Sequence, residues 1–490
     1  MLFNSYEFIF AFLPLTFFIY FYLNSKRQTE ASKGFLVFAS LFFYSWWNIV
    51  YLPIILSSML FNYVIGNILN GNKQRKNSTK QLNKKTILTI GIVANIALLG
   101  YFKYADFFIQ NVNFLTDGNI PTLELALPLA ISFFTFQQIA YLVDSYRAET
   151  QEYDFLNYAL FVTFFPQLIA GPIVHHKEMM PQFASKWNKV KNYKNIALGL
   201  FIFSLGLFKK VVIADTFAIW ATKGFDLSQT LTLFEAWITS LSYTFQLYFD
   251  FSGYTDMAIG AALLFNIKLP INFNSPYKAL DIQDFWRRWH ITLSRFLKDY
   301  IYIPLGGNRK GSFRTYNNLL ATFVIGGLWH GAGWTFIFWG FLHGMALVVH
   351  RLWKSFNLTM NKYLAWFITF NFVNIAWVFF RAKEWEDAIK VLNGMFGFSG
   401  VVFSDRSLYK FESLRPFVEA HAENFGKLMF GSTPISFILV GIFVVLYYDN
   451  IVQISQRVKF NYKLLFLLLA ITIGTLFNMS RVSEFLYFNF

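Results

Sequence analysis

Apolar runs long enough to cross a bilayer recur along this chain and restrict its fold before any motif is considered. Residues 7–24 (EFIFAFLPLTFFIYFYLN), 86–102 (TILTIGIVANIALLGYF) and 464–478 (LLFLLLAITIGTLFN) are examples. A helix needs about 20 such residues to traverse roughly 30 Å of hydrocarbon. Inside lipid only a helix or a closed barrel satisfies its own backbone. Charged residues make up 14% of the 490, against about 25% in a soluble domain. The expected fold is therefore an all-α polytopic membrane protein.

The formal charge of +15 comes from 42 Lys and Arg against 27 Asp and Glu. The basic residues concentrate in short connections at 26–33, 71–85, 185–194, 278–316, 351–362 and 457–463. That is the positive-inside pattern, which puts these connections on the cytoplasmic side. The charge thus reports topology and contact with anionic lipid, and no nucleic-acid partner is expected. The chain has no cysteine, which excludes disulfides, thiolate nucleophiles, Cys-ligated zinc and palmitoylation. Lys26 and Arg27 follow the first apolar run and no small-residue cleavage site is present, so that run is expected to remain as a helix with its N-terminus outside.

Between the basic markers the spacing predicts about 11–14 membrane helical segments, including re-entrant or broken ones. The runs at 232–265 and 318–350 exceed one crossing, so each is expected to be a pair or a broken helix. Residues 383–430 form one long polar connection, expected to be extracytoplasmic. With no internal repeat, residues 1–490 read as a single membrane domain.

Polar residues interrupt several apolar segments. PLAISFFTFQQIAYLVDSYR (128–147) carries Gln137, Gln138 and Asp144, and YFDFSGYTDMAIG (248–260) carries Asp250 and Asp256. FVTFFPQLIAGPIVHHKE (161–178) has two prolines and a His pair. Such residues face a bundle interior or a wet cavity. Each taken singly is better read as hydrogen-bonding glue between helices, and it is their number that argues for a polar interior cavity.

Residues 284–344 concentrate the chemistry. Phe285, Trp286, Trp289, Leu293, Phe296 and Leu297 recur at helical spacing, with Arg287, Arg288, Arg295 and Lys298 elsewhere on the surface. The pattern predicts one basic amphipathic helix lying at an interface, with His290 at the edge of its apolar stripe. PLGGNRKG (304–311) follows, where Arg309 and Lys310 with mobile glycine backbone suit a phosphate, although a basic turn explains it equally well. It lacks the spacing of a P-loop. His330 stands deep in an apolar block, between Gly326, Gly327 and Trp329 on one side and Gly331 and Gly333 on the other. An ionisable residue in such a place is a functional candidate, and a neutral imidazole can take a proton from a hydroxyl. His343 and His350 are expected to be structural. GxSxG, HExxH and HxxxxD patterns are absent, and nothing calls for a metal at His175 and His176.

DFWRRWHITLSRFLKDYIYIPLGGNRKG together with GLWHGAGW resembles the membrane-bound O-acyltransferase (MBOAT) family, in its bacterial alginate O-acetylation and peptidoglycan O-acetyltransferase branch. LVFASLFFYSWWN, LALPLAISFFTFQQIAYLVDSYR, FFPQLIAGPIVHHKEM and FQLYFDFSGYTDMAIG resemble the same branch in the same order, as does the terminal FLYFNF. The resemblance implies a helical bundle around a central tunnel, with Trp329, Asp250, Asp256 and Gln137 as candidates to line it. It implies that His330 is the principal catalytic histidine and His290 the second. It implies acetyl-CoA as donor substrate with no bound cofactor, and Arg309 and Lys310 are candidates to meet the donor phosphates. An extracytoplasmic polysaccharide acceptor, a partner acetyltransferase docking on 383–430 and a bacterial cytoplasmic (inner) membrane location follow from the same source. Three readings compete: a D-alanyl transfer protein for teichoic acid, a transporter of saccharides or lipid intermediates, and a noncatalytic scaffold.

Overall fold

The computed structural model describes residues 1–71, 83–150, 154–169, 171–404, 425–426, 430–431, 433–479 and 486. Most of the basic connection 71–85, most of 405–430 and all but one residue of the FLYFNF tail lie outside the described residues. Six helices among those described are long and apolar enough to cross a membrane, and a bent pair, Thr433–Tyr447 with Ile451–Arg457, makes a seventh if it is one span. The contacts group into two compact units, Met1–Leu207 with Tyr254–Asn272 and Ser455–Phe490, and Phe208–Gly253 with Phe273–Ile454.

The first unit begins with α1 (Leu13–Ser25), α2 (Thr29–Ser45), α3 (Leu52–Gly71), α4 (Lys84–Thr116) and α5 (Ile131–Tyr146). Four shorter segments follow: α6 (Phe155–Thr163), α7 (Phe165–Leu168), α8 (His176–Ala184) and α9 (Tyr193–Phe208). Proline at 166 starts α7 immediately after α6 ends, so the run at 155–172 is broken, as its two prolines imply. Lipid chains are as apolar as leucine, so close packing and hydrogen bonds hold such helices together. Asn62 of α3 and Asn95 of α4 exchange side-chain amide bonds of 3.1 and 2.7 Å. Gly199 of α9 lies against Gly260, where a Cβ on either would stand 2.7 or 2.6 Å from the other's carbonyl oxygen. His176 is buried against Phe161 and Tyr141, and burial pushes its imidazole down to about 4.

The second unit contains α10 (Asp215–Thr222), the first part of α11 (Leu233–Leu264), α12 (Ile282–Arg288), α13 (Ile291–Leu297), α14 (Ser312–His330) and α15 (Trp334–Ser355). It continues with α16 (Lys362–Arg381), α17 (Trp385–Met395), α18 (Thr433–Tyr447) and the start of α19 (Ile451–Arg457). The expected division of 318–350 is found: α14 and α15 form a hairpin joined at Gly331–Gly333.

Three expectations are corrected. The run at 232–265 is one unbroken helix, Leu233–Leu264, of 32 residues, about 48 Å long at 1.5 Å per residue. Thr239, Ser240, Ser242, Thr244, Gln246, Asp250, Ser252, Thr255 and Asp256 are all buried along it, so its length is not limited by the thickness of lipid. The single amphipathic helix expected from Asp284 onward is two short helices, α12 and α13, parted at Trp289 and His290. Both of these residues are buried, and His290 takes a left-handed backbone at φ +43°. The polar connection at 383–430 opens with a packed helix, α17, which buries Ala388, Val391 and Met395. Their spacing of three and four is helical, and Trp237 Nε1 donates to the Met395 carbonyl at 3.0 Å.

The hairpin depends on glycine. A Cβ on Gly327 of α14 would overlap the Phe336 carbonyl oxygen and lie 3.1 Å from Gly340 Cα, and one on Gly340 of α15 would overlap the Phe323 carbonyl oxygen. These are backbone atoms and cannot rotate aside. Gly327→Ala is expected to lower stability by about 1–3 kcal/mol, the usual cost of overpacking. Unfolding in detergent should show it, and an unchanged midpoint would mean that the helices separate freely.

Candidate active site

His330 is the last residue of α14, with 4% of its surface exposed. Its ring lies 4.7 Å from Trp329, 5.2 Å from Trp339 and 5.0 Å from Phe380, the last two edge-on. Gly331 permits this, because a Cβ there would collide with the Phe336 ring that packs on Phe380. The helix therefore ends on the histidine, which is held on the α14–α15 turn by rings from three directions.

His290 joins the same wall. Its ring is 4.8 Å from Phe251 of α11 and 6.5 Å from Trp329, so Trp329 touches both histidines. His290 lies outside the six candidate spans, and burial pushes its imidazole down to about 3. Burial therefore favours the neutral ring. His343 sits on the far side of Trp339, 4.9 Å away. Its Nδ1 accepts from Trp286 Nε1 at 3.2 Å, which fastens α12 to α15. Phe251, His290, Trp329, His330, Trp339, His343 and Trp286 thus form a continuous string of ring contacts.

A cleft reaches this string. Gln283, Tyr302, Leu319 and Leu347 wall two adjoining cavities of about 590 and 420 Å³. The larger is lined by Asn308, His350, Arg351 and Lys354, and the smaller by Arg287, Lys298, Trp286 and Phe323. Arg309 and Lys310 are exposed beside Asn308 and line neither cavity. Gly306 and Gly307, at φ +116° and +55°, shape the turn that carries them, and Asn318 Nδ2 donates to the Gly307 carbonyl at 2.9 Å.

The other sequence candidates divide between the units. Asp250 is in the second unit, next to Phe251, and its Oδ1 meets Lys210 Nζ at 2.7 Å. Lys210 also reaches Asp215 at 3.0 Å. Gln137 and Asp256 are buried in the first unit. Sequence reasoning passed over Lys210, Trp286 and Trp339. The available signal for Lys210 was a lysine inside an apolar run with an aspartate five residues later, on the π-helical stretch Lys209–Ala214. The two tryptophans look like ordinary core residues in sequence.

The MBOAT, membrane-bound O-acyltransferase family profile matches residues 81–383. The chain is 52% identical to the peptidoglycan O-acetyltransferase of Helicobacter pylori, over 100% of its own length and 98% of that protein's. It is 42% identical to a probable alginate O-acetylase of Pseudomonas aeruginosa, over 81% of this chain and 75% of the other. A teichoic acid D-alanyltransferase of Streptococcus thermophilus is more distant, at 28% over 51% and 68%. The family match takes in both histidines, their tryptophan wall and the cleft. Because it also spans more than half of the sequence, the chain belongs to the membrane-bound O-acyltransferase family and is a multi-pass membrane acyltransferase.

Proposed function

We propose that this protein moves an acetyl group from cytoplasmic acetyl-CoA to hydroxyls of an extracytoplasmic glycan of the peptidoglycan class, from a bacterial cytoplasmic membrane. The observation that carries the reading is the cleft. It is basic at its mouth and along its sides, and it ends on Trp286, two rings from His330 through Trp339. Donor phosphates meet Arg287, Lys298, Arg351 and Lys354, with Arg309 and Lys310 flanking the mouth, and the thioester points inward. End-to-end similarity to a peptidoglycan O-acetyltransferase supports the acceptor class.

In the transfer, His330 takes the acceptor hydroxyl proton as its oxygen attacks the thioester carbonyl. The C–S bond breaks as the new ester C–O bond forms, and the imidazolium returns the proton to the thiolate. His290 is the second histidine of the site, and the neutral ring suits a hydrogen-bonding role across Trp329. The hydroxyl acylated in this step is an intermediate acceptor; a partner acetyltransferase outside the membrane then attacks that ester, the first hydroxyl leaves with a proton, and the acetyl group passes to a hydroxyl of the final polymer.

Vesicles containing the protein, with labelled acetyl-CoA on the cytoplasmic face and glycan strands plus candidate partner outside, test this directly. Label is expected on the outer glycan. Label delivered only from a D-alanyl carrier protein would replace the donor, and label on alginate but not on peptidoglycan strands would replace the acceptor. Arg351→Glu with Lys354→Glu is expected to raise KM for acetyl-CoA roughly tenfold, about 1.4 kcal/mol, with kcat little changed, as for loss of uniform binding. An unchanged KM would remove the cleft as the donor site.

A further inference from the structure

α15 and α16 are joined by residues 356–361, and near that join an apolar groove of about 720 Å³ runs between them. Leu342, Met345, Ala346 and Val349 line it from α15, and Ile368 and Phe372 from α16. Both helices are among the candidate membrane spans, and Met345, Val349 and Ile368 of its lining are exposed apolar residues, the kind of surface that a bilayer covers. Its volume falls within the usual range for a ligand site, about 300–1,000 Å³.

The groove also has a charged end. Lys354 and Lys362 line it there, beside Trp353, at the place where lysines snorkel and tryptophans mark the headgroup level. Among the described residues neither lysine has a carboxylate within ion-pairing distance. Asp281, also in the wall, lies 3.5 Å from His350 Nε2. The Lys362 ammonium lies 4.9 Å from the Tyr363 ring, a contact that attracts the cation but brings no net negative charge.

We propose that this groove is a binding site for an anionic phospholipid. One acyl chain lies between α15 and α16, and the headgroup phosphate sits beside Lys362, at the end where Lys354 is shared with the mouth of the donor cleft. Any bilayer lipid fills an apolar groove, but only a net negative headgroup neutralises the two lysines, since a zwitterionic one brings its own cation. The preference therefore comes from the charged end and the location from the groove, and the two can be broken separately.

Native mass spectrometry of the full chain in mild detergent, without donor or acceptor, reads both. The protein is offered equal amounts of phosphatidylglycerol and phosphatidylethanolamine with the same chains. The native sequence is expected to retain phosphatidylglycerol several-fold over its competitor. Lys362→Glu, an exposed substitution that leaves the packing alone, should bring retention to parity, and Ala346→Trp, which fills the groove, should abolish selective retention. Parity in the native sequence would overturn the proposal. A preference that survives Ala346→Trp would overturn it as well, because surface charge alone would then account for it.

Discussion

Glutamine or alanine at position 330 is expected to reduce acetyl transfer by about 10²–10⁴-fold, the usual contribution of a positioned acid–base group. The reduction should fall on kcat, with KM for the donor close to the native value, because the cleft proposed for the donor is formed by other residues. The two variants must be compared, since His330 also fills space among Trp329, Trp339 and Phe380. Alanine leaves a gap there and lowers the unfolding midpoint. Glutamine keeps most of the volume and should remain folded. An inactive, stable glutamine variant would assign the loss to chemistry. A glutamine variant that retained activity would make His330 part of the wall and shift attention to His290. Label that stays on the protein without acceptor, and only when His330 is intact, would mean that the ring carries the acetyl group itself.

The second large effect is on folding. Lys210→Met should destabilise the protein by about 3–5 kcal/mol, because it leaves Asp250 buried with its cationic partner removed. The Lys210 side chain is 1% exposed, and those of Asp250 and Asp215 are 2% and 14% exposed. Adding Asp250→Leu to Lys210→Met should recover part of the loss, since Asp215 is nearer solvent and tolerates its charge better. Detergent or denaturant unfolding reads both. If the single variant is as stable as the native chain, the pair is weaker than its geometry implies. Because Asp250 precedes Phe251, which packs edge-on against His290, activity should fall in step with folding in this series rather than ahead of it.

Much of this was visible in the amino-acid sequence. Runs of apolar residues marked the spans, and the length of 318–350 marked a helix pair or a broken helix, although not the place of its turn. The continuity of α11 was not visible, because nine polar residues between Thr239 and Asp256 look like interruptions unless their burial within protein is known. Nor was the break at His290. Helical spacing runs through residues 285–297 without a proline or glycine, and only the tertiary wall of aromatic rings forces the backbone out of the helix there. Arg309 and Lys310 were the conspicuous basic pair in sequence. The cations that line the cleft come instead from α12, α15 and the segment after α13, which sequence order keeps apart.

The backbone at His290, at φ +43°, is one that glycine adopts freely and histidine only with strain. Thermodynamic preference and chemical usefulness therefore pull in opposite directions at this one residue. A search for sturdier variants that scores only thermal resistance would favour glycine at 290 and discard an imidazole from the proposed reaction centre. Stabilised forms of this protein should be selected on turnover and melting together, with position 290 left as it is.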